Sequence, residues 1–276
     1  MAPAGRGRER HEPADDRALI AKLESALYAS GDRAGDGDLV RNDEWVQLTT
    51  PEVKTHYRNG VLRSVLAAEA LPDRIDRMIA HYRSVGVPFR WMVTPSTRPL
   101  DTGEVLLGRR FEHVETLHAM VADPAAFPPH AAGNGIRVER IDEGGIDAWA
   151  ECSGKGFKMP QAGIERLRVE LKQAMAEPEP TRFYFVARER GVPAGASSLR
   201  LLDGFAHFNG AAVPEEYRGR GVYRAMVLER MRFLRERGIP LVTNHCVSTT
   251  SAPICARLGF RFVCAFEVYR WCHAAG

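Results

Sequence analysis

No stretch of the 276 residues approaches the run of about 18 uninterrupted apolar residues that a membrane-spanning helix needs. The amino terminus, Met1-Ala2-Pro3-Ala4-Gly5-Arg6-Gly7-Arg8, has basic residues with no apolar core behind them, so it does not read as a secretory leader. The five cysteines, Cys152, Cys246, Cys255, Cys264 and Cys272, are odd in number and contain no Cys-x-x-Cys pair, which argues against a disulfide framework and against a structural zinc site. An excess of one charge is missing too: 38 basic against 35 acidic residues leave +3, too balanced for a nucleic-acid binder. Collagen-like and low-complexity signatures are lacking, and 45% hydrophobic with 26% charged residues is a globular composition. These absences describe a soluble protein of a reducing, cytoplasmic compartment, with no metal, membrane or nucleic acid among its expected partners.

What is present is concentrated at one place. Residues 205–213 are apolar and β-prone, and from Val222 onward Val222, Ala225, Met226, Leu228, Met231, Phe233 and Leu234 recur with helical periodicity up to a stop at Gly238. Between strand and helix lies Pro214-Glu215-Glu216-Tyr217-Arg218-Gly219-Arg220-Gly221. Two glycines let successive backbone N–H groups converge, and the helix that follows adds its unsatisfied amides and the positive end of its dipole. That is an anion site suited to phosphate. A Walker loop is excluded by the absence of Gly-Lys-Ser/Thr, and a dinucleotide fingerprint by Arg224 where a small residue is needed. The plainer alternative is an exposed basic loop before an ordinary helix.

The remaining length is enough for two domains. Residues 1–15 are polar and read as a disordered tail. A helix follows from Asp16, then a loop over 31–38, strands near 45–48 and 61–66, a helix over 73–85, a strand at 89–93, a short helix at 103–108 and strand over 111–121. Residues 123–135, with Pro124, Pro128, Pro129, Gly133 and Gly135, form the clearest linker. The second part gives a strand at 136–141, a helix at 146–152, a Gly-rich turn Ser153-Gly154-Lys155-Gly156 and a longer helix through Ile164, Leu167, Leu171 and Met175. Three strands joined by short turns, 183–187, 194–202 and 205–213, read as an antiparallel meander. The loop helix, a strand at 241–247, a short helix at 253–258 and a strand at 260–271 complete the chain.

The strand, turn and helix around Gly219 resemble the acetyl-CoA loop of the GNAT (general-control-related N-acetyltransferase) superfamily. Its Gln/Arg-x-x-Gly-x-Gly/Ala pattern is read here as Arg218-Gly219-Arg220-Gly221-Val222-Tyr223, with Tyr223 departing from the last small residue. The element order over residues 136–271 is similar to the same family. An internal repeat extends the resemblance: Arg83-Ser84-Val85-Gly86-Val87-Pro88 is similar to Arg235-Glu236-Arg237-Gly238-Ile239-Pro240, and Gly108-Arg109-Arg110-Phe111 falls on Arg257-Leu258-Gly259-Phe260 after a three-residue slip. The implied fold is α/β of the α+β, mixed-sheet kind, a tandem of two GNAT-like domains, each a mostly antiparallel mixed sheet flanked by helices. Residues 16–122 form a degenerate domain with no cofactor loop, and residues 136–276 a catalytic one.

The resemblance implies acetyl-CoA as cosubstrate, no metal, and a small-molecule amine (or peptide) acceptor attacked directly on the enzyme. Ala212 and Val213 would line the pantetheine arm, and the amides of Arg218, Gly219, Arg220, Gly221, Val222, Tyr223 and Arg224 would hold the pyrophosphate, with arginine side chains adding charge. The family often carries a tyrosine acid four residues before the Gly of Leu258-Gly259-Phe260; here that position is Cys255, whose thiol is one candidate acid and the nearby Tyr223 the other. His207 and His245 are candidate bases because a neutral imidazole titrates in the useful range. The plainer readings are a small buried hydrophobe for Cys255 and structural roles for both histidines. Residues 155–160, with Phe157 and Met159, would gate the acceptor. A carrier- or tRNA-bound acyl donor, a non-catalytic acyl-CoA sensor and a structural interaction protein stay open, as does oligomeric state, a homodimer included.

Overall fold

The computed structural model describes residues 13–29, 37–127 and 135–272. The expected tail falls almost wholly outside them, as do most of the 31–38 loop and the centre of the linker. Among the described residues the elements are α1 (Pro13–Ala29), β1 (Asp38–Arg41), β2 (Trp45–Thr49), β3 (Gly60–Ser64), α2 (Leu71–Val85), β4 (Phe89–Val93), α3 (Thr102–Leu107) and β5 (Glu112–Ala122). Then follow β6 (Ile136–Arg140), α4 (Ile146–Gly156), α5 (Gln161–Met175), β7 (Arg182–Glu189), β8 (Val192–Leu202), β9 (Phe205–Ala212), α6 (Val222–Glu236), β10 (Val242–Val247), α7 (Ser251–Arg257) and β11 (Arg261–Trp271).

Two local expectations are corrected. The 153–156 turn is helix, because α4 runs through to Gly156. Its glycines are there for contact: a Cβ on Gly154 would lie 2.3 Å from Ile164 Cγ1, and one on Gly156 would lie 2.7 Å from the Ala212 Cβ. β1 was not anticipated; it is short, mostly exposed and lies at the sheet edge, so it has no buried face to leave a hydrophobic alternation in the sequence.

The strands form one eleven-stranded mixed sheet in the order β1-β2-β3-β4-β11-β5-β10-β9-β8-β7-β6. β7, β8 and β9 are the expected antiparallel meander. The two parallel pairs are β3 with β4 and β9 with β10. The middle of the sheet joins the two parts of the chain: β11, the last strand, pairs with both β4 and β5, while β5 pairs with both β11 and β10. Each part therefore closes its sheet with a strand from the other.

Alternation along the strands sorts the helices onto two faces. Phe185, Leu199, Ala206, Phe208, Val242 and Cys246 point to α6 and α7, and Val61, Phe89 and Trp91 point in the same sense to α2 and α3. Val46, Leu62, Met92, Leu117, Ala119 and Phe266 face α1, and Tyr184, Val186 and Ala196 face α4 and α5. The repeat seen in the sequence is structural. After α2 the Val87 N–H donates to Tyr82 O at 3.2 Å, and after α6 the Ile239 N–H donates to Leu234 O at 3.1 Å. Gly86 and Gly238 sit at φ 71° and 66°, the left-handed stop that closes a helix this way. The same correspondence aligns α3 with α7, where Phe111 N–H bonds to Leu106 O and Phe260 N–H to Cys255 O.

Candidate active site

β9 and β10 run parallel only from Ala206↔Val242 to Phe208↔Asn244. Beyond that point β9 follows β8, with Ser198 opposite Asn209 and Ser197 opposite Ala211, so Gly210 is the extra residue of a bulge. β10 meanwhile stays with β5, His245 opposite Ala119 and Val247 opposite Leu117. The two strands part, and the inner edge of β9 over residues 209–212 is left for a ligand with its own amide groups. A Cβ on Gly210 would come within 3.8 Å of the exposed Phe157 ring, which places the expected gate at the mouth of this opening.

The turn after β9 runs straight into α6. Hydrogen bonding in the turn ends with Arg218 N–H to Glu215 O at 3.2 Å and resumes with Ala225 N–H to Gly221 O at 2.9 Å. The N–H groups of residues 219–224 lie between. Gly219 and Gly221 take φ 74° and 88°, and nothing stands within 4 Å of where their Cβ atoms would be. Left-handed backbone with open space before it is a cradle for an anion, at the positive end of a 15-residue helix. The arginine side chains contribute less than expected. Arg218 turns back to Val213 O at 3.1 Å and Gly156 O at 3.4 Å, and Arg220 pairs with Glu189 at 2.7 Å. Backbone amides make this site.

Tyr223 does not narrow the turn, because its ring points inward. The phenol lies 3.5 Å from Cys255 Sγ, and Asn244 Nδ2 donates to the same sulfur at 3.5 Å. Cys255 is fully buried on α7. Its thiol is held down to about 7, by the hydrogen bond with Cys246 above all, against burial, and with help from the Tyr223 hydroxyl, the Arg230 charge and Asn244. Cys246 is pushed the other way by that same bond and by burial, and burial raises the Tyr223 phenol.

The two histidines meet on the opposite face, beneath α1, with ring centroids 4.6 Å apart. Thr243 Oγ1 donates to Ala206 O at 3.2 Å and so accepts from His207 Nδ1 at 2.8 Å, which leaves His207 Nε2 as a lone pair. His245 Nε2 donates to Leu23 O at 3.0 Å. Burial first, and each other's neighbourhood or nearby arginines second, hold both neutral: His207 well below its ordinary value and His245 at about 4. The four candidates thus divide into a Tyr–Cys pair and a His–His pair on opposite faces of the parting strands.

Sequence reasoning missed Arg230, Asn244 and Cys246. Arg230 stood in the apolar stripe of α6, in phase with Tyr223, Met226 and Val227; a charge inside a stripe was the signal. The corresponding opening in the first half is filled by the chain itself: Arg98 N–H donates to Ser64 O at 3.0 Å and Leu66 N–H to Arg98 O at 3.1 Å. Where the second half has glycines, the first has Ala67-Ala68-Glu69-Ala70.

The mixed sheet thus opens at a parallel pair, and an amide cradle leads from the opening into the next helix. Residues 149–260 match the model of the Acetyltransferase (GNAT) family. Among solved structures, a GCN5-related N-acetyltransferase from Kribbella flavida is similar at 13% identity and TM-score 0.66, over 92% of this chain and 94% of that one. Another from Sphaerobacter thermophilus is similar at 18% identity and TM-score 0.64, over 95% and 93%. A tandem GNAT protein from the clavulanic acid biosynthesis pathway is similar at 15% identity and TM-score 0.57, over 93% and 92%. At these identities the likeness is one of fold. A comparison with curated proteins finds no match. Among the described residues no helix is long and apolar enough to cross a membrane.

Proposed function

We propose that the protein is an N-acetyltransferase that moves an acetyl group from acetyl-CoA to the amine of a small molecule by direct attack. The observation that carries this reading is the continuity between the parted inner edge of β9 and the cradle of residues 219–224. One opening suits a pantetheine arm and the other a pyrophosphate, in the order in which coenzyme A joins them. The thioester end then falls at the root of the opening, beside Tyr223 and Cys255. Backbone amides hold the diphosphate, Ala212 and Val213 flank the arm, and the Tyr223–Cys255 pair supplies the proton for the leaving sulfur. The acceptor enters from the face of α1, α4 and α5, past Phe157. His207 Nε2 is the base candidate, acting on the amine directly or through water. Residues 16–122 serve as a domain that closes the sheet of residues 136–276, with no donor site of their own.

Calorimetric titration of acetyl-CoA into wild-type protein and Gly221→Glu tests the reading. A carboxylate in the cradle sets like charge against the diphosphate, a cost of several kcal/mol, so affinity falls by about a hundredfold or more while the fold is kept. Gly221→Ala separates backbone strain from charge and retains most of the affinity. Equal binding by Gly221→Glu removes the basis of the assignment. Release of CoA thiol with a panel of amines completes the test; binding without any release points to an acyl-CoA sensor.

A further inference from the structure

Arg230 is 1% exposed, in the middle of α6. Its Nε donates to Met226 O at 3.1 Å and its NH1 to Ser198 O at 3.1 Å. The guanidinium lies 3.9 Å from the centre of the Phe208 ring, on the last paired residue of β9 before the strands part. Its NH2 is buried and has no hydrogen-bond partner among the described residues. A desolvated cation with an unmet donor is costly, and α6 keeps one where a Met or Leu would pack. Burial pushes the guanidinium down to about 10, so it is charged at neutral pH.

The cation belongs to a closed group. Tyr223 shares its helix face two turns earlier and meets Cys255 of α7, to which Asn244 of β10 also donates, and the guanidinium is within charge reach of Tyr223, Cys255 and Cys246. Three of these groups, Tyr223, Cys246 and Cys255, can give up a proton, Asn244 donates to the Cys255 sulfur, and Arg230 is the one positive charge among them. This arrangement is asymmetric: it is ready to hold a negative charge.

We propose that Arg230 is a positioning residue whose buried charge receives the negative charge left on the Tyr223–Cys255 pair when that pair protonates the departing thiolate of CoA. The inference rests on the transferase reading. In the step, the amine nitrogen forms its bond to the acyl carbon and the C–S bond breaks with its electron pair on sulfur. The S–H bond of Cys255 breaks and a new S–H forms on CoA. The anion on Cys255 is held by Arg230, Asn244 and the Tyr223 hydroxyl. The proton lost by the amine goes to His207, or through water to solvent, and Cys255 is reprotonated from solvent as product leaves. No oxidant or further reactant is needed.

The test needs no acceptor. Thiolate ultraviolet absorbance is titrated against pH in wild type and Cys255→Ser, and the difference isolates Cys255 from the other four thiols. The same difference is taken between Arg230→Met and the double variant Arg230→Met/Cys255→Ser. Loss of a nearby cation raises a thiol, so the midpoint moves up by about one pH unit or more, and Arg230→Lys brings it back toward wild type. An unmoved midpoint in Arg230→Met, or no Cys255 titration in wild type below the ordinary thiol range, overturns the proposal. Circular dichroism checks folding; should Arg230→Met not fold, Arg230→Gln, which retains donors for Met226 O and Ser198 O, takes its place in the same comparison. Acetyl-CoA titration of the wild type runs in parallel. Absence of binding there ends the transferase reading while leaving the thiol midpoints to be judged separately.

Discussion

Gly156 ends α4 against the backbone of β9, and its substitution inverts a general rule. Alanine in place of a helical glycine normally stabilises by about 1 kcal/mol. Here the added Cβ would sit 2.7 Å from the Ala212 Cβ and 3.0 Å from Val213 N, neither of which is a flexible chain end. Overpacking of that kind costs roughly 1–3 kcal/mol, so Gly156→Ala lowers the urea midpoint, and because Ala212 and Val213 border the opening it also weakens acetyl-CoA binding. A midpoint at or above wild type would sink this account. The histidines make a second prediction. Both are held neutral in the folded chain, below the ordinary value near 6.5, while the unfolded chain titrates there. The unfolded state therefore binds more protons as pH falls, and the stability present above about 6.5 is lost on the way down to about 4, by roughly 1–3 kcal/mol. Urea midpoints compared at neutral and acid pH read this directly, and His245→Gln flattens the profile. At this scale the sequence marked Gly219 and Gly221 as points of backbone freedom, and of Tyr223 only its departure from a small residue. It did not speak about Asn244 or Cys246, because a polar residue on a strand is read as facing solvent until the opposite helix is known.

The parallel pairs show what a strand element needs in order to become a binding edge. β3 with β4 and β9 with β10 begin alike, and both separate. In the first pair Arg98 satisfies Ser64 O and Leu66 N–H; in the second, the bulge at Gly210 turns residues 209–212 away from β10, and among the described residues no backbone group takes the place of β10. The expected stoichiometry is one acetyl-CoA per chain, measured by calorimetry. Grafting Arg-Gly-Arg-Gly into residues 67–70 leaves it at one, since the arm still finds Arg98 in its way; a second site of similar affinity would show that glycine alone was lacking. Most elements were legible from periodicity and punctuation: α2, α6, β4 and the β7–β9 meander fall close to their expected bounds. The exceptions have physical causes. α4 extends through two glycines because packing against Ile164 and Ala212 overrides the turn preference of Gly, and β1 is held by pairing with β2 and by no buried stripe of its own.

On the scale of the molecule, the two-part organisation was readable from the repeated Arg-x-x-Gly-x-Pro endings of α2 and α6. The exchange of β5 and β11 was not, because each strand has the same alternation whether it pairs with its own half or the other. The consequence for stability is specific. Residues 136–276 alone lack β5, so β10 and β11 lose their shared partner, and the isolated segment is expected to aggregate or remain unfolded. The intact chain is expected to melt in one transition, with the calorimetric and van't Hoff enthalpies agreeing. Two separable transitions would mean that the shared strands do not couple the halves.

The same exchange bears on how the chain is made. Synthesis runs from the amino terminus, and the strand that seals the first half, β11, emerges after the other ten strands of the sheet. Until then β4 and β5 have open edges facing each other across the space that β11 will fill, and open edges seek partners. The first half must either wait unsealed for the rest of the chain, or pair β4 with β5 as a temporary hairpin that β11 later parts. In either case the sheet reaches its final topology only when Trp271 has cleared the ribosome, and the opening between β9 and β10 matures at the same moment as the scaffold of the first half.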